Sequence, residues 1–97
     1  MIEQRKSRRF DLQLPVEVVR TGSAETAWSG ETKNLSSCGV LFTSEADIPV
    51  GALIEYVITL PSPPSARTPV RLRCLGKVVR RESISAAATL ERYEFIR

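Results

Sequence analysis

The stretch that decides the fold is "VRLRCLGKVVRR", residues 70–81. Val70, Leu72, Cys74 and Val78 fall on one parity, with Arg71, Arg73 and Lys77 on the other. A period of two marks a strand with one buried and one wetted face. The same period recurs on both sides of this stretch. "QLPVEVVR" (13–20) aligns Leu14, Val16 and Val18, and "LIEYVITL" (53–60) aligns Ile54, Tyr56, Ile58 and Leu60. "GVLFTSE" (39–45) sets Val40 and Phe42 against Leu41 and Thr43. "TAWSGETKN" (26–34), with Trp28, is a more polar strand, and "TLERYEFIR" (89–97) pairs Tyr93 with Phe95. That makes six strand candidates.

Breakers divide them: "TGS" at 21–23, "IPVG" at 48–51 and the proline-rich "PSPPSARTP" at 61–69. No segment holds a helical period, although "SAAATLERY" (85–93) has the composition for a short helical turn. Six short antiparallel strands with tight connections predict an all-β fold, a six-stranded antiparallel β-barrel, because closure hides the sheet edges. Residues 1–10 show no alternation, so the expected division is a flexible basic arm over 1–10 and a barrel over 11–97. At 97 residues there is room for one domain only.

The net charge is +3, and its location matters more than its size. Residues 1–9 hold Arg5, Lys6, Arg8 and Arg9 against Glu3, while the rest of the chain is neutral. A short basic arm suits a small anion. It does not provide the broad basic face that duplex nucleic acid requires.

Catalysis finds no support. The chain has no histidine to serve as a base near neutral pH. Cys38 and Cys74 have no activating neighbour in sequence, the carboxylates are scattered, and no glycine-rich phosphate loop is present. Two cysteines without histidine do not make a zinc site, and no cofactor is expected. Apolar runs are too short to span a membrane. The N-terminus lacks a signal-like segment, which predicts a cytoplasmic location.

Two motifs remain. "RKSRRF" (5–10) places Arg5 and Arg9 four apart, pointing the same way on an extended arm and at most ~13 Å from each other. Arginine forks grip phosphates and the N7/O6 edge of guanine. With eleven arginines, about one such spacing arises by chance, and Arg67 with Arg71 is a second instance. "NLSSCG" (34–39) is rarer: Asn or Asp, Ser two on and Gly three further is expected only ~0.015 times at this composition. Asn34 and Ser36 share a parity at a strand end, so both can face one ligand. Gly39 either supplies a positive φ in a turn or lets something flat approach.

An arginine pair followed by Asn-x-Ser-x-x-Gly in a small six-stranded β domain resembles the PilZ family, which binds cyclic di-GMP. The likeness covers most of the chain, including "PVGALIEYVITLP" and "VRLRCLGKVVR". It implies that Arg5 and Arg9 clamp phosphate and guanine from the arm, and that Arg8 adds a further contact. It also implies that Asn34 and Ser36 hydrogen-bond a guanine and that Gly39 keeps the turn open. Gln4 sits where the family influences how many ligands bind. A downstream protein partner is expected but not named, and ligand stoichiometry and oligomeric state stay open, a homodimer included. Two alternatives are a degenerate PilZ-like protein-interaction module without nucleotide binding and a small single-strand nucleic-acid-binding barrel. Against the latter, most of the six aromatics occupy apolar strand positions instead of interleaving with basic residues.

Overall fold

The computed structural model describes residues 13–44, 48–61 and 69–96. The described strands are β1 (Pro15–Thr21), β2 (Ala24–Leu35), β3 (Gly39–Thr43), β4 (Leu53–Thr59), β5 (Arg71–Glu82), β6 (Ser85–Thr89) and β7 (Arg92–Ile96). Every pairing is antiparallel. The order β4-β1-β2-β3-β6-β5 closes through β4–β5 into a six-stranded barrel, and β7 adds to β5 outside it. Among the described residues there is no helix, and hence none long and apolar enough to cross a membrane.

The expected barrel is present, but its sixth strand is not the one the alternation suggested. Residues 85–89, whose composition also allowed a short helical turn, form a strand, and the stretch with Tyr93 and Phe95 lies outside the barrel. The reason is packing. Ala86 lies opposite Phe42, and Ala88 lies between Val40 and Val78. Phe42 and Tyr56 stack beside them, with centroids 6.2 Å apart. With two large rings filling the interior, methyl groups are what fits. Pairing on both edges then overrides alanine's intrinsic preference for helix.

Rows across the sheet build the core. Val18, Tyr56 and Cys74 are register partners in one row, and Val16, Ile58 and Leu72 in the next. All six are buried. Burial pushes the Cys74 thiol up to about 12, so it is a protonated, poorly nucleophilic filler. Tyr93 and Phe95 extend these rows onto β7, but they are exposed because β7 lies beyond the barrel wall.

Two long strands, β2 and β5, turn the corners between sheet halves in the same way. At Gly30 a Cβ would collide with the Thr43 carbonyl, and at Gly76 with the Thr89 carbonyl. The next residue donates its N–H to the same threonine's hydroxyl: Glu31 to Thr43 Oγ1 at 2.9 Å, and Lys77 to Thr89 Oγ1 at 2.9 Å. Each strand then carries a bulge, between Thr32 and Asn34 and between Val78 and Arg80. A bulge adds one residue against the partner strand and re-aims the side chains beyond it. Both bulges bear on the site.

Candidate functional site

Thr32 and Val78 are buried, so uninterrupted alternation would turn Asn34 and Arg80 inward as well. The bulges prevent this. Asn34 pairs with Leu41, Leu41 with Ala87, and Ala87 with Arg80, which makes one row of outward positions across β2, β3, β6 and β5. The row lies in a shallow cleft of about 240 Å³ whose lining includes Asn34, Ser36, Gly39, Leu41, Arg80 and Ala87. The three motif residues from 34–39 therefore meet in one cleft. Leu41, Ala87 and Arg80 were not picked out from sequence. The available signal was an arginine at an inward parity, Arg80 after Val78, which marks a bulge.

Ser36 closes the turn between β2 and β3. Its hydroxyl accepts from the N–H groups of Cys38 and Gly39, both at 3.2 Å, and donates to the Gly39 carbonyl at 3.3 Å. The Ser36 N–H also donates to that carbonyl, at 2.9 Å. One donor and two acceptors are all a hydroxyl has. Ser36 is thus spent on shaping the loop that presents Asn34.

Gly39 is needed for a different reason than a turn would give. The glycines with positive φ among the described residues are Gly22 and Gly51, not Gly39. A Cβ on Gly39 would instead lie 2.7 Å from the Ala88 carbonyl oxygen, closer than real side chains come. The bare backbone keeps β3 tight against β6 and leaves that part of the cleft floor flat.

Arg5, Arg8 and Arg9 lie outside the described residues. The first described anchor after them is at Leu14. Leu14 N–H donates to Thr32 Oγ1 at 2.9 Å, and Thr32 N–H donates to the Leu14 carbonyl at 2.9 Å. Leu14 is thereby tied to β2 two residues before Asn34.

A larger groove, about 460 Å³, follows β5 and β7 past Arg73, Leu75, Arg92 and Tyr93. Its charges are of both signs. Arg73 is already held by Glu55 at 2.6 Å and Glu94 at 3.3 Å, so this groove makes little demand for an anion. Size alone does not select it. Among the described residues no cluster of His, Cys, Asp and Glu is arranged to hold a metal ion.

Residues 3–95, nearly the whole chain, match the family model described as "PilZ domain". No curated protein matches the chain significantly.

Proposed function

The chain belongs to the PilZ domain family, a family of binding and effector domains, and on that premise we propose that it senses cyclic di-GMP by closing its N-terminal arm over the cleft that bears Asn34. In this reading residues 1–10 are the arm and the barrel is the platform. Arg5 and Arg9 clamp the ligand's phosphates and guanine, and Arg8 adds to the cationic field. Asn34 presents an amide that both donates to and accepts from a guanine edge. Ser36 and Gly39 hold the loop and floor in shape. The loaded arm is then the surface a downstream protein partner would read.

The observation that carries this reading is the anchoring of Leu14 to Thr32. Arg9 is five residues from Leu14, at most roughly 17 Å of extended chain. Asn34 is two residues from Thr32. The residue from which the arm extends is therefore anchored two residues along β2 from Asn34, which supports an arm that reaches the cleft. A calorimetric titration with cyclic di-GMP, run against cyclic di-AMP, is the direct test. Saturable binding with clear preference for the guanine dinucleotide is expected. Equal heats for the two, or none, would end the proposal.

The roles of the two polar motif residues separate cleanly. Asn34→Ala is expected to reduce the guanine-over-adenine preference about fivefold or more with little change in melting temperature, since its amide is a recognition group. Ser36→Ala removes three loop hydrogen bonds. Even about 1 kcal/mol net would lower the melting point by roughly 4–8 °C in a domain of this size. Titrations paired with circular-dichroism melts distinguish the two. Should Asn34→Ala change the melt and leave the preference intact, Asn34 is a turn residue and not a reader.

A further inference from the structure

Arg80 has no role in the motifs, yet the barrel builds for it the same setting it builds for Asn34. Both residues follow a corner glycine and a threonine brace, and both come just after a bulge. The two stand at opposite ends of the row Asn34–Leu41–Ala87–Arg80. Three strand spacings separate their backbones, about 14 Å. The floor between them is Leu41 and Ala87, apolar and low, next to the bare Gly39. Such a floor suits the face of a flat ring better than a hydrated phosphate. Arg80 is also little engaged: its side chain is 59% exposed, and its ion-pair partner Glu82, at 3.6 Å, is 63% exposed. An exposed pair of that kind is weak and readily exchanged.

We propose that Arg80 is a second recognition residue of this cleft, gripping the N7/O6 edge of a guanine that lies on Leu41 and Ala87 and whose other edge faces Asn34. The proposal rests on the cyclic di-GMP reading above and adds to it a reader from the far side of the barrel face. A guanidinium fork matches the two adjacent acceptors of guanine. Adenine, which presents an acceptor and a donor there, does not offer that match. Arg80 therefore contributes to affinity and to base choice together, and a lysine in its place supplies the charge without the fork.

The test is titration of the full chain with cyclic di-GMP and cyclic di-AMP, using wild type, Arg80→Ala, Arg80→Lys, Glu82→Ala and Arg71→Ala. Arg71 is an exposed arginine on the other half of β5, away from the cleft, and controls for net charge. Arg80→Ala is expected to weaken cyclic di-GMP about tenfold or more and to narrow its lead over cyclic di-AMP. Arg80→Lys recovers part of the affinity and little of the preference. Glu82→Ala binds as tightly as wild type or tighter, because it frees the guanidinium. Arg71→Ala stays within about twofold of wild type. The proposal is overturned if Arg80→Ala matches Arg71→Ala, if lysine restores both affinity and preference, or if Glu82→Ala reproduces the loss. Wild type failing to bind cyclic di-GMP would overturn the underlying reading and this inference with it. Wild type binding while Arg80→Ala binds equally well would sink this inference alone.

Discussion

Alanine at Arg5 or at Arg9 is expected to weaken cyclic di-GMP binding roughly ten- to hundredfold or more, whereas alanine at Arg67 should change it by less than about twofold. The first figure follows from one or two charge-assisted hydrogen bonds of about 1.5–3 kcal/mol each, at 1.4 kcal/mol per factor of ten. The contrast follows from chain connectivity. Arg67 and Arg71 repeat the four-residue spacing of Arg5 and Arg9, but Arg71 is the first residue of β5, beside Thr59 and Ile96 and away from the cleft. Only the first pair belongs to the segment rooted at Leu14 next to Thr32. Spacing is shared by both pairs and position is not. If binding depended on bulk positive charge, the three variants would lose affinity equally. Isothermal titration of each at one fixed ionic strength decides it, because phosphate contacts weaken with added salt.

Strands with one face in the core could be read from sequence because their chemistry alternates over most of their length. Residues 70–78 show this best: Leu72, Cys74 and Val78 are buried, and Arg71, Arg73 and Lys77 are exposed. Three other features were hidden, each for a physical reason. The alanines of β6 are intrinsic helix formers, and their strand identity comes from Phe42 and Tyr56, which are distant in sequence. The bulges leave only an indirect trace, a polar residue at an inward parity in Asn34 after Thr32 and Arg80 after Val78, and the outward aim of both is set by their pairing partners. Gly39 was singled out as a motif position, but the constraint the structure shows there is a carbonyl on another strand. Local chemistry thus revealed the barrel wall and the motif. The shape of the cleft arises where long-range register departs from strict alternation.

The same dependence on register sets the largest expected stability effect, at Tyr56. This side chain is completely buried, stacks on Phe42, and sends its hydroxyl to the Thr89 carbonyl at 3.0 Å. Burial raises its pKa far above the usual phenol range, so it is a neutral donor throughout the physiological pH window. Removing a buried aromatic ring costs about 3–5 kcal/mol, against a total of about 5–15 kcal/mol for a typical domain. Tyr56→Ala should therefore lose most cooperative folding near 37 °C in a circular-dichroism melt. Tyr56→Phe isolates the hydroxyl. It keeps the ring but takes a donor from Thr89, at about 1 kcal/mol and a melting point roughly 4–8 °C lower. Thr89 is no ordinary core position. It pairs with Gly39 across β3–β6, its hydroxyl braces Lys77 at the β5 corner, and its carbonyl fills the space that Gly76 leaves free. One phenol thereby holds, from inside the barrel, the residue on which the cleft floor and the bulged strand both rest. Tyr56→Phe should accordingly weaken ligand binding a few-fold at temperatures where it is still fully folded. A Tyr56→Phe protein that melts and binds as wild type does would show that packing alone, without this hydrogen bond, positions the site.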